Sequence, residues 1–337
     1  MSLLAAYRFA IGPMIFWMSL VGARAQAVPN AVENIDFIVT FGAQADRGWG
    51  DDDFTQTFFF LVPQASRLPV YIRVFDPDCG GKYDEPKFGW NTRTDFSLYG
   101  GAGCYTNPDA RRTEPVGDYR SGVLLRHKIF DASPTYDGKW YTFGPLNPLE
   151  GELVPEFGGY VFKMVAQGIQ GDDGNLYRYF LSSEPKLNVA VEGGNAFTYE
   201  YAFRLKGGTS GKVGKRAKGA EGGSITHLYP FVNDRVVSIK QSNFDADGDA
   251  ALVVFSVAKN GQPAAVSGDK QWRSSVLPIV KEEHGLSLDL RLRNRSKASN
   301  DMVFYVTDQY DTALPFFAVP LGGPPKYRYA VDVKVRH

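Results

Sequence analysis

The chain has 337 residues, 44% hydrophobic and 14% aromatic, with Lys+Arg and Asp+Glu balanced at 37 each. That composition supports a folded protein with a sizeable core, and zero net charge argues against a general nucleic-acid binder. Four scattered histidines exclude the usual zinc pairs, and no G-x-S-x-G elbow or H-E-x-x-H motif occurs.

Residues 1–25 read as a secretory signal: Arg8 carries positive charge, 9–21 is apolar, and Ala23-Arg24-Ala25 has the small-x-small form of a cleavage site. The mature chain is then expected to begin near Gln26, in a secreted or periplasmic setting. An uncleaved anchor is the alternative, but the apolar run is shorter than the ~20 residues that cross a bilayer and holds Gly12-Pro13. No later segment qualifies as a membrane span.

Short runs rich in Val, Ile, Phe and Tyr, punctuated by Gly, Pro, Asn and Asp, predict strands at 36–41, 57–62, 70–75, 95–99, 122–130, 160–167, 176–182 and 197–205. The turn 171–175, Gly-Asp-Asp-Gly-Asn, predicts a hairpin between its flanking strands, because its residues tolerate positive φ. About eight strands without amphipathic helices predict a sandwich over 30–205.

Two acid-rich loops interrupt this region. One is 48–53, with Asp51 and Asp53; the other is 75–85, with Asp76, Asp78 and Asp84. Carboxylates on neighbouring loops repel one another unless a hard cation takes them as oxygen ligands, which makes Ca²⁺ the expected cofactor. The plain alternative is a set of turn aspartates capping local backbone. Cys79 and Cys104, an even count in an exported chain, are expected to pair as a disulfide, with two free buried thiols as the alternative. Trp49, Trp90 and Tyr99 fall on or beside these loops and are candidate ligand-stacking rings, unless they fill the core.

Residues 206–224 are dense in Gly and Lys and form a linker or long loop. Beyond it, strands are predicted at 225–229, 235–240, 251–257, 276–280, 286–293, 302–307, 316–320 and 327–335, a second sandwich over 225–337. The run 286–293 alternates with period two, so one face is buried and the other wet. A third acidic loop carries Asp245, Asp247 and Asp249. It departs from an EF-hand, with Ala250 where the turn glycine belongs and Ser256 where the bidentate Glu belongs.

The segment 70–78, a strand ending in Asp76-Pro77-Asp78, resembles the corresponding part of C2-type calcium sandwiches. That resemblance implies that Asp51, Asp53, Asp76, Asp78 and Asp84 converge around one cation. The expected architecture is therefore all-β: two tandem β-sandwich domains, jelly-roll or C2-like. The expected function is non-enzymatic and calcium-dependent binding at the cell envelope or outside it, to carbohydrate or a surface protein. The alternative is a secreted polysaccharide hydrolase using carboxylates such as Asp52, Asp76 and Glu85.

Overall fold

The strand Thr55–Pro63 shows how this chain builds its core. Its Phe58, Phe60 and Val62 enter one apolar cluster while Phe59 and Leu61 enter another on the opposite face. A strand whose alternate residues are all apolar has to be covered on both sides, and the rest of the molecule supplies the covers. The structure is a computed structural model that describes residues 26–113, 119–207, 224–248 and 250–321. The signal, most of the 206–224 stretch, Asp249 and the strand expected at 327–335 lie outside the described residues.

The strands begin with β1 (Ala27–Val28), β2 (Ile38–Phe41), β3 (Thr55–Pro63), β4 (Val70–Phe75), β5 (Arg93–Gly100) and β6 (Val123–Phe130). There follow β7 (Trp140–Leu146), β8 (Glu152–Val154), β9 (Gly159–Gln170), β10 (Gly174–Ser182), β11 (Asn195–Thr198) and β12 (Glu200–Leu205). Beyond the linker come β13 (Ile225–Leu228), β14 (Phe231–Val232), β15 (Ser238–Phe244), β16 (Ala250–Phe255) and β17 (Asn260–Ala264). The last are β18 (Trp272–Pro278), β19 (Leu286–Ser287), β20 (Asp289–Asn294), β21 (Asn300–Asp308) and β22 (Phe316–Phe317).

Among the described residues all strand pairs are antiparallel. The largest sheet runs β18-β15-β21-β12-β2-β10-β4-β7, with β1 added on β10. A second runs β22-β11-β3-β9-β5-β6, with β8 added on β9, and a third β13-β20-β16-β17. The first two sheets face each other through aromatic contacts: Phe58 meets Tyr179 at 5.6 Å and Tyr201 at 5.4 Å, and Phe96 meets Tyr177 at 5.0 Å. This is an all-β, sandwich-like arrangement. Its main core is continuous from Ile38 and Phe60 to Leu252, Leu290 and Val306.

Two expectations change. Strands from both sides of residues 206–224 share the largest sheet, because β12 pairs with β21 along its length, Glu200 with Tyr305 through Leu205 with Asn300. The two halves are therefore not separately closed sheets. The turn after β9 is not a hairpin either: β9 pairs with β3, β5 and β8, whereas β10 pairs with β1, β2 and β4. The chain crosses there from one sheet to the other. Asp173 holds the crossing: its carboxylate, fully buried, accepts from the amides of Lys87 and Asn91 and from the Thr92 hydroxyl.

Candidate functional site

Where β4 ends, the chain turns through Asp76, which has a left-handed backbone (φ 58°), into the loop that runs to Glu85. A second loop, between β6 and β7, lies against it. Asp76 Oδ1 accepts from the Gly138 amide at 2.5 Å and Asp78 Oδ2 from the Tyr136 amide at 2.5 Å, so the carboxylates of one loop bind the backbone of the other. Asp84 ties the same loop to its own start and to β10, accepting from Gly80 and Leu176 amides at 2.6 Å each.

Asp137 joins this group from the second loop. Gly81 (φ 72°) permits the approach, since a Cβ there would stand 2.5 Å from Asp137 Oδ2. Among the described residues no hydrogen-bond donor reaches Asp76 Oδ2 or Asp137 Oδ1, although both atoms are buried and Asp76 is only 1% exposed. A buried carboxylate oxygen without a donor costs on the order of 1–3 kcal/mol or more. Burial, reinforced by the neighbouring carboxylates, pushes Asp76 and Asp78 up to about 6. Burial pushes Asp84 to about 9 against the pull of its two amide donors.

The other acidic residues form separate groups. Asp51, Asp52 and Asp53 bring one oxygen each to within 4.8 Å of the others. Asp51 accepts from the Phe41 and Phe54 amides, and Asp53 from the Thr55 amide and the Tyr119 hydroxyl, so both cap the entry to β3. Burial is the chief cause that raises both, Asp53 to about 7, with repulsion from neighbouring aspartates added. Asp245, Asp247 and Asp269 make the third group by the same 4.8 Å measure, with Asp245 raised to about 7 by burial. Asp249 lies outside the described residues.

The single convergence of Asp51, Asp53, Asp76, Asp78 and Asp84 is not formed. Among the described residues, neither close group contains Asp76, Asp78 or Asp84. Asp137 and Asp269 take part although neither belongs to the acidic runs that stand out in the sequence. Their signal was present, because each stands in a Gly- or Pro-marked loop between strands, but no sequence spacing relates Asp137 to Asp76.

The disulfide is also absent: Cys79 and Cys104 are both free and buried. Cys79 sits by Thr92 before β5, whereas the Cys104 thiol lies by the Tyr99 and Val161 carbonyls past its other end. The intervening strand separates them by roughly 20 Å or more, beyond the ~7 Å Cα limit for a bridge. Burial pushes Cys104 up to about 12 and Cys79 higher still. Both thiols are therefore inert packing residues at neutral pH.

The candidate rings divide in the same way. Tyr99 is 5% exposed and packs with Cys104 and Val165 beneath the Lys163 ammonium. Its ring is turned inward and offers no face to a ligand. Trp49 is half-buried on Phe41, with Lys87 Nζ 4.3 Å from its ring centre. Trp90 is 39% exposed and, with Asp137, flanks Gly80: a Cβ there would be 3.9 Å from each. Phe88, which the sequence reading passed over, is 83% exposed and stands 6.3 Å from the Trp49 ring.

The fold and these loops define an all-β, sandwich-like protein with three acidic loop groups, one of them beside the exposed ring of Trp90. In comparison with known proteins, the chain matches no family model and no curated protein by sequence. Among the described residues, no helix is long and apolar enough to cross a membrane.

Proposed function

We propose that the protein is a calcium-dependent binding module that works at the cell envelope or outside it, without catalysing a reaction. The cation lies between the loop 76–85 and the loop around Asp137, and a carbohydrate or surface partner binds beside it on Trp90. The observation that carries this reading is the buried Asp76 Oδ2, which faces no donor while Asp137 beside it holds a second such oxygen. A hard cation offers what those oxygens lack, and it would favour the ionised form of Asp84, which burial otherwise raises to about 9. Sugar rings present apolar C–H faces, and exposed aromatic rings next to a cation suit them.

The hydrolase alternative fits these residues less well. Glu85 is held below the usual carboxylate range by Lys87 and Arg204 and is committed to a network that includes Asp301. Such a group is a poor general acid.

Thermal melting in millimolar calcium against chelator tests the proposal, with Asp76→Asn and Asp137→Asn as variants and Asp245→Asn as a control. The native protein gains about 2.7 kcal/mol at a hundredfold excess over Kd, and Asp76→Asn abolishes the gain. An unchanged melting temperature in the parent refutes the metal. A gain that survives Asp76→Asn but not Asp245→Asn moves it to the third group. Calcium-dependent retention on immobilised polysaccharides, lost in Trp90→Ala, tests the ligand.

A further inference from the structure

A second binding surface stands apart from the acidic loops, and nothing in the calcium reading depends on it. It is a cleft of about 520 Å³ that draws its walls from both halves of the chain. One wall is the 3-10 turn Pro108–Arg111 with Arg112 and Thr113. The other is Lys240 of β15, Tyr305 and Thr307 of β21 and the turn at 311–313. Lys240 and Thr307 are cross-strand partners, which directs their side chains to the same face.

The cleft holds three cations, Arg111, Arg112 and Lys240, among hydroxyls from Tyr305, Thr307 and Thr312. Arg111 lies with its guanidinium carbon 5.1 Å from the Tyr105 ring centre, which fixes its plane, and its Nε is buried with no hydrogen-bond partner among the described residues. Thr307 is 3% exposed, and its hydroxyl likewise has no partner among the described residues. Two carboxylates oppose the cations: Asp109 pairs with Arg112 at 2.8 Å and Asp311 with Lys240 at 2.6 Å. Both pairs stand at the surface, where such bonds contribute little and are readily exchanged for a ligand anion. Arg111 lies within hydrogen-bonding reach of the Tyr105 and Tyr199 hydroxyls, and among the described residues it forms no ion pair with a carboxylate. Pro108 and Ala313 supply apolar wall between the polar groups.

We infer that this cleft binds a small polyhydroxylated anion, a molecule of sugar size whose oxyanion sits on Arg111 and Arg112 and whose hydroxyls meet Thr307 and Lys240. A planar guanidinium with a free N–H suits a carboxylate, sulfate or phosphate oxygen, and the size is within the range of small-molecule pockets.

Calorimetric titration of the full chain in chelator, with glucuronate, inorganic phosphate and glucose as probes, decides the matter. Glucuronate binds and glucose does not, with affinity falling as salt rises. Arg112→Ala weakens binding about tenfold or more, whereas Asp311→Asn, which frees Lys240, strengthens it several-fold. Both residues are exposed, so both variants keep the parent's melting temperature within a few degrees. Binding of phosphate without glucuronate overturns the polyhydroxylated ligand and leaves only a site for a bare oxyanion. Failure of both anions, equal binding of glucose, or affinities unmoved by both substitutions overturns the inference. Because chelator is present throughout, these outcomes are independent of whether Asp76 holds a cation.

Discussion

Glu33 shows at the scale of one residue how burial without compensation becomes pH dependence. It is 2% exposed, accepts from the Asn30 amide at 2.6 Å and lies 3.4 Å from the Tyr201 hydroxyl. Burial outweighs those bonds and pushes its carboxyl up to about 8. A carboxyl raised in the folded state contributes stability that is fully present below its unfolded value, near 4.5, and lost as pH climbs through about 8. Glu33→Gln keeps the acceptor for Asn30 and removes the titration. The variant should therefore lose less stability than the parent between pH 5 and 8, by up to about 1.4 kcal/mol per pH unit. Denaturant melts at the two pH values measure this, and parallel losses in both proteins would refute it. The same physics separates Tyr99 from Trp90. Aromatic type and loop position were legible in the sequence, but which ring faces water depends on what packs over it, and only Tyr99 is covered by Val165 and Cys104.

Among the elements, the loop that enters β3 carries more of the tertiary structure than its residue types suggest. Asp46 caps the 3-10 turn Arg47–Trp49, and Gly50 closes it in a left-handed backbone (φ 92°). A Cβ on Gly50 would lie 2.2 Å from the Asp301 carbonyl oxygen of β21. Gly50→Ala thus meets both a backbone clash and a disfavoured φ, and we expect a loss on the order of 3 kcal/mol, read as a lowered midpoint in urea. An unaffected midpoint would mean that the loop does not dock on β21. The turn after β9 teaches the complementary point. Its Gly-Asp-Asp-Gly chemistry marked the break between β9 and β10, yet both strands carry apolar residues on both faces. Leu176 points to one cluster while Tyr177 and Tyr179 point to another, so β10 needs cover from two directions and cannot simply fold back on β9.

For the whole molecule, the pairing of β12 with β21 joins the two halves in one sheet, from which we expect one cooperative unit. Each half alone would expose a long unpaired edge and part of the shared core. A protease site inserted between residues 208 and 223 and cut in the native protein should leave two pieces that elute together and melt in a single transition. Two independent transitions would restore the tandem-domain reading. The cleft between Arg111 and Lys240 depends on the same union, because its walls come from opposite sides of the linker.

The strands themselves were legible by local physics alone. β4 coincides with the predicted 70–75, and the alternation in 286–293 placed Leu288, Leu290 and Leu292 inside, although Ser287 and Asp289 on the face expected to be wet are buried as well. That success has a simple reason: side-chain period and turn propensity act between near neighbours in the chain. The sequence by itself determined the all-β class, the positions of many strands but not of β7, β8 or β17, and the acidic character of the loops. Only the tertiary structure decided that the halves share a sheet, that Cys79 and Cys104 stand at opposite ends of β5, and that Asp76 meets Asp137 rather than Asp51. Those outcomes depend on contacts between residues far apart in the chain, chosen by which apolar faces can bury one another at once, and no short stretch of sequence encodes that choice.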